Sequence, residues 1–104
     1  MDIHYLESFG PTVVLYTFEK EEEAVDLAND MEYGLAGAVF SKDLTAAFRI
    51  AKAYNTGAVH VNAMTIHDEA ALPHGGVKQS GYGRFNANHG LDEFLILKTI
   101  TWKD

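Results

Sequence analysis

Three short apolar runs separated by two helix-patterned segments constrain this chain more than any other feature. Thr12-Val13-Val14-Leu15-Tyr16-Thr17-Phe18 is β-branched, aromatic and uncharged, and predicts a strand buried on both faces. Glu19-Lys20-Glu21-Glu22-Glu23 follows, then Ala24, Leu27, Ala28 and Met31 at helical spacing. The carboxylates fall in the first turn, where the helix dipole favours them. Gly34 is the expected C-cap. The pattern repeats: Leu35 to Phe40 predicts a second strand, and Ser41 or Asp43 can cap a second helix. Leu44, Ala47, Phe48, Ala51 and Tyr54 form its apolar face, and Ala58-Val59-His60-Val61-Asn62 predicts a third strand. Strand–helix–strand–helix–strand with short connections implies an α/β fold, a βαβαβ unit with parallel strands.

The remainder is less regular. From Ala63 to His89 periodicity is weak, and five glycines fall between Gly75 and Gly90. A segment of this kind in a small domain is usually functional. Leu91 to Phe94 predicts a helical turn, and Leu95 to Trp102 a final strand. Three parallel strands and two helices do not cover both sheet faces. An open apolar edge invites pairing with another chain. The expected organisation is a piece of something larger, or an obligate oligomer.

Composition excludes several classes. The 104 residues contain no Cys, which removes disulfides, thiolate-ligated metals and thiolate catalysis from the repertoire of this chain. Eight Lys and Arg against fifteen Asp and Glu give a net charge of −7, which argues against nucleic acid and against anionic membrane surfaces. The first residues lack a basic and apolar leader pattern, and no apolar run suits a membrane span. A soluble, reducing, cytoplasmic setting is the expectation.

The candidate motifs each have a plain alternative. Gly75-Gly76-Val77-Lys78-Gln79-Ser80-Gly81-Tyr82-Gly83-Arg84 matches neither the P-loop nor the dinucleotide fingerprint. It reads as a tight loop in which Lys78 and Arg84 bond backbone carbonyls or pair with carboxylates. The five His residues show no metal-ligand spacing, so no metal site is expected, and His60 reads as a satisfied core histidine. Ser80, His67 and Asp68 could form a triad, but no nucleophile-elbow pattern supports one. Glu7, ahead of the Gly10-Pro11 corner, could accept hydrogen bonds from ribose hydroxyls at the mouth of a parallel sheet, or be an ordinary loop carboxylate.

Taken in order, Glu7-Ser8-Phe9-Gly10-Pro11, Ala28-Asn29, Tyr33-Gly34-Leu35, Gly57-Ala58-Val59-His60-Val61-Asn62 and Pro73-His74 through Gly83-Arg84 closely resemble the C-terminal part of the NAD(P)-dependent aldehyde dehydrogenase superfamily. The resemblance runs from about Glu7 to Trp102. Thr65-Ile66-His67-Asp68-Glu69 is most similar to the branch acting on aromatic aldehydes, such as salicylaldehyde and vanillin.

The resemblance implies that residues 1–94 are the C-terminal part of a catalytic domain. It implies that 95–104 are an oligomerisation strand that adds to a neighbouring subunit. By the same resemblance Glu7 binds the nicotinamide-ribose hydroxyls of NAD or NADP, and Phe9 packs near the nicotinamide. Ile66, His67, Asp68, Glu69 and His74 would line the aldehyde tunnel. His74 departs from the family pattern, which usually has Phe there, and Asn86-Ala87-Asn88-His89 departs from an expected small-residue stretch. The family's chemistry needs a Cys nucleophile, a Glu base and oxyanion donors. These belong to earlier parts of the family's chain, so no catalytic residue is assigned here. The 104-residue chain resembles a truncated gene product, an expressed fragment or a relic. It is expected to be inactive alone and to hold no cofactor tightly. The alternative is an interaction module that self-associates or docks onto a full-length relative.

Overall fold

A computed structural model describes residues 2–104. Its centre is a crossover unit. Strand β2 (Ala36–Val39) runs into helix α2 (Leu44–Ala53) and returns as β3 (Ala58–Val61), parallel to β2, with Ala36 opposite Ala58 and Val39 opposite Val61. Helix α2 starts at Asp43, whose carboxylate accepts from the amides of Thr45 (2.8 Å) and Ala46 (3.2 Å). Of the two expected caps, Asp43 is the one used, while the Ser41 hydroxyl accepts from the Asp43 amide. Asp43→Ala removes two amide partners and is expected to cost about 1 kcal/mol. A lowered urea midpoint with an unchanged slope in circular dichroism would show it.

Helix α1 (Glu21–Asn29) is pinned to α2 at both ends. At its start, Arg49 makes two hydrogen bonds of 2.6 Å to the Glu21 carboxylate, and the guanidinium lowers the pKa of that carboxyl. At its end, the Asn29 amide donates to the Ala53 carbonyl (2.9 Å) and accepts from the Asn55 amide (2.7 Å). The expected cap at Gly34 is corrected: α1 ends at Asn29, and Gly34 lies in β1 (Tyr33–Gly34). The orphan carbonyls at this helix end are met from far along the chain. Lys78 of β4 (Val77–Lys78) donates to the carbonyls of Asn29 and Met31, each at 2.9 Å. A cation there also complements the helix dipole.

The β1–β4 pair is antiparallel, with Gly34 opposite Val77. It brings the Gly-rich loop against the crossover. The Gly57 amide donates to the Gly34 carbonyl (3.1 Å), and the Ser80 hydroxyl accepts from the Gly34 amide (3.0 Å). A Cβ on Gly57 would collide with the Gly75 carbonyl oxygen. Gly57 is glycine because two backbones touch there. Arg84 donates to the carbonyls of Gly76 and Gly83, as the sequence predicts for this loop.

The α/β class and the parallel strands are as expected, but two predicted strands lack ladders. Residues 12–18 pair with nothing among the described residues. Their exposure still alternates: 90% for Val13, 40% for Val14, 88% for Leu15 and 44% for Tyr16. That period of two marks extended backbone with one covered face. The expected burial on both faces does not occur, because no neighbouring strand lies alongside. Leu95 to Trp102 is likewise unpaired and bare. The expected turn at Leu91 to Phe94 is instead helix α3 (Ala87–Asp92).

Apolar burial is correspondingly thin. Ala47 is the one fully buried apolar residue among those described. The radius of gyration is 18.2 Å, against about 13 Å for a compact domain of this length. The accessible surface is 8916 Å², against about 5,800 Å² for a folded monomer of this mass.

Candidate functional site

The residues singled out by sequence form two clusters, and no hydrogen bond joins them among the described residues. The first is the corner around Glu7. The Thr12 hydroxyl donates to Ser8 Oγ (3.3 Å) across the Phe9-Gly10-Pro11 bend. Phe9 is 95% exposed, so its ring offers a bare flat face. Glu7 lines a cavity of about 430 Å³ between this segment and the crossover unit. An exposed carboxylate beside a bare ring can accept hydroxyl hydrogen bonds and stack a planar group. The chain carries no glycine fingerprint for a pyrophosphate beside it.

The segment leading to this corner is anchored by a network that sequence reading misses. Tyr16 Oη hydrogen-bonds His4 Nδ1 (2.6 Å), and His4 Nε2 faces Asp30 Oδ2 at 3.2 Å. Tyr5 Oη donates to the same carboxylate oxygen (3.1 Å), and this bond to Asp30, with its charge, raises the Tyr5 pKa. Asp30 thereby ties residues 4–5 to the end of α1. The partners lie 25 and 26 residues apart, so no local pattern reveals them.

The second cluster is the loop from Ile66 to His74. His67 Nε2 lies 2.9 Å from Glu69 Oε1, and the His67 ring meets the His60 ring edge-on at 5.9 Å. The reading of His60 as a satisfied core histidine is corrected: its Nε2 is buried without a hydrogen-bond partner among the described residues. Its ring packs against another ring where a donor or acceptor was expected. Asp68 and the Glu69 carbonyl both accept from Asn86 Nδ2, at 3.0 and 3.3 Å, and the Ala70 carbonyl accepts from the Ala87 amide at 3.0 Å. His74 exchanges both backbone bonds with Phe85, and their rings stand 5.2 Å apart. Ile66 is exposed.

Asn86 is the residue sequence reasoning flagged only as a departure. It and Ala87 both hold positive φ, at 70° and 47°. With ψ at 158°, Asn86 lies outside the left-handed well that Asn tolerates, in a region that Gly alone adopts readily, so its backbone is strained. The signal available in sequence was that odd Asn-Ala-Asn stretch. Its role emerges only with Asp68 beside it. His67, Asp68, Glu69 and His74 thus belong to one wall held by residues 85–87. Ser80 bonds Gly34 and is no part of a triad with His67.

Comparison with known proteins fits this arrangement. The profile described as "Aldehyde dehydrogenase family" matches residues 1–100. The chain is 44% identical over 101 residues to a vanillin dehydrogenase of Pseudomonas fluorescens, covering 97% of this chain and 21% of that protein. It is 48% identical over 104 residues to a chloroplastic betaine aldehyde dehydrogenase of Atriplex hortensis, covering 97% and 20%. The backbone matches a crystal structure of a salicylaldehyde dehydrogenase from Pseudomonas putida G7 complexed with salicylaldehyde. The TM-score is 0.83 at 42% identity, over 88% of this chain and 19% of that one. The chain therefore spans about a fifth of the length of these relatives. The matched residues, the parallel crossover and the Glu7 to Arg84 motif series together place this chain in the aldehyde dehydrogenase family.

Proposed function

We propose that this chain supplies the C-terminal portion of an enzyme that oxidises an aldehyde to a carboxylate with NAD or NADP, and that it is inactive alone. One observation carries the reading: the family match runs through residues 1–100 while the sequence holds no Cys. The bound nicotinamide nucleotide supplies the hydride acceptor in such an enzyme. Glu7 accepts hydrogen bonds from its ribose hydroxyls, and Phe9 packs beside its ring. Ile66, His67, Asp68, Glu69 and His74 line the aldehyde path. The similarity to vanillin and salicylaldehyde dehydrogenases favours an aromatic aldehyde. Residues 1–94 form the catalytic-domain part and 95–104 the association strand. The cytoplasmic setting is retained in this reading. No helix among the described residues is long and apolar enough to cross a membrane.

A second reading is favoured by the bare apolar tail from Leu95 to Trp102. In it the chain is a non-catalytic module that self-associates or docks onto a full-length relative.

The test is NADH or NADPH formation with vanillin or salicylaldehyde at about 1 mM, the upper end of ordinary KM values. Pure chain should give none. Co-expression with a Pseudomonas fluorescens vanillin dehydrogenase that lacks its matched 101 residues should restore turnover. Turnover by the pure chain would contradict the reading. So would a soluble, well-mixed pair that stays inactive.

A further inference from the structure

Asn86 stands at the start of α3 and does not do what an asparagine ordinarily does there. A side chain in this position accepts from the amides of the first helical turn, as Asp43 does for α2. Asn86 makes no such bond. Its backbone sits at φ 70° and ψ 158°, where an L-residue is strained, and Ala87 follows at φ 47°. Two local costs therefore fall on one half-buried residue. A capping side chain on ordinary backbone angles would avoid both.

The compensation lies across the chain. Asn86 Nδ2 donates to Asp68 Oδ1 (3.0 Å) and to the Glu69 carbonyl (3.3 Å). The Ala87 amide donates to the Ala70 carbonyl (3.0 Å), so the strained pair grips three consecutive residues. The far end of the same loop is fixed by the two backbone bonds between His74 and Phe85. Glu69, held at its carbonyl by Asn86, has its carboxylate 2.9 Å from His67 Nε2, and the His67 ring abuts His60. Asn86 thus reaches the His67 ring through one intervening residue. Strain that serves distant contacts, and not the helix it begins, points to a site.

We infer that Asn86 is a positioning residue: it fixes the backbone of residues 68–70 so that His67 and Glu69 keep one place on the aldehyde path. The inference rests on the proposed function for that path. Asn86 itself touches no substrate and acts through Glu69. A fixed wall governs how tightly the aldehyde is held. It does not govern bond making at a nucleophile that this chain lacks. Loss of Asn86 therefore raises KM and leaves kcat in place.

Two variants of the chain alone test the grip. Asn86→Gly relieves the strain and deletes the amide. Asn86→Asp keeps the shape and sets a second carboxylate against Asp68. Hydrogen exchange by mass spectrometry follows the peptides carrying the Leu72 and Ala87 amides, which donate to Glu69 and Ala70. Both amides should exchange about tenfold faster in either variant, while those of α2 keep their rates. Asn86→Gly should not lower the urea midpoint, since Gly adopts these angles freely. Adding Asp68→Asn to Asn86→Asp sets a donor opposite an acceptor again and should slow both amides. In the pair restored with the truncated Pseudomonas fluorescens vanillin dehydrogenase, Asn86→Gly should raise the KM for vanillin about tenfold at unchanged kcat. Asn88→Ala, at an exposed neighbour, should change neither.

The outcomes separate the two claims. Unchanged exchange at Leu72 and Ala87 in both Asn86 variants overturns the grip, with or without a partner protein. A lowered midpoint for Asn86→Gly makes the residue a support of the local fold and overturns the positioning role. So does a double variant that exchanges as fast as Asn86→Asp. Faster exchange in an active pair whose KM does not move overturns the inference and leaves the proposed function standing. A soluble, well-mixed pair that never turns over overturns the proposed function, and the aldehyde role of Asn86 falls with it.

Discussion

Gly57→Ala should lower the stability of the crossover unit by about 3 kcal/mol, the upper range for overpacking against atoms that cannot retreat. The added methyl would meet the Gly75 carbonyl oxygen, with Gly75 C and Gly76 Cα close behind. All three are backbone. Gly57 also donates to the Gly34 carbonyl, and Gly34 bonds Ser80. Displacement at Gly57 therefore loosens β1, β3 and the Gly-rich loop together. Urea unfolding followed by circular dichroism would read this as a large fall in midpoint. Gly10→Ala serves as the control, since a Cβ there meets nothing within 4 Å. A Gly57→Ala chain with the midpoint of the Gly10→Ala chain would show that the close approach is not structural.

The second large effect concerns the solution state. The surface exceeds that of a compact monomer of this mass by about 3,100 Å². Stable obligate interfaces bury on the order of 2,000–5,000 Å² in total, so the excess is of interface size. Much of it is apolar. Phe94, Leu95, Ile96, Leu97, Ile100 and Trp102 all lie exposed on the unpaired tail. Contiguous apolar patches of this kind do not persist on monomers in water. A run of unpaired amides and carbonyls adds directional pairing to the hydrophobic drive. The chain is therefore expected to associate, and a form ending at Phe94 should associate less.

The sequence is most legible where structure is decided locally. The periodicity of Leu44, Ala47, Phe48 and Ala51 and the cap at Asp43 sit within one helix, and α2 forms as they require. The runs flanking it become β2 and β3 because α2 joins them at short range. A strand, by contrast, is a relation between two segments. The composition of Thr12 to Phe18 states a preference for extended backbone, and the alternating exposure honours it. Hydrogen bonding needs a partner that these residues do not find here. The end of α1 is misread for a related reason. Gly34 is a good local stop, but the carbonyls there are met by Lys78, some fifty positions away.

The candidate site divides in the same way. The Glu7 corner is readable because Gly10-Pro11 bends the chain locally. The Ile66 to His74 wall depends on Asn86 and Phe85, which meet it only through tertiary contact. The His4–Asp30–Tyr16 network is invisible to any window-based reading. Its residues are ordinary in sequence and become a unit only when the first residues fold back over α1.

The central claim is that these 104 residues are an incomplete part of an aldehyde dehydrogenase fold, with surface built to be covered. Light scattering across protein concentration, combined with small-angle scattering, tests it most directly. The account predicts a mass above 11.5 kDa that rises with concentration. Where a monomer persists, its radius of gyration should stay near 18 Å. A monodisperse 11.5 kDa particle at all concentrations, with a radius near the ~13 Å of a compact domain, would contradict it.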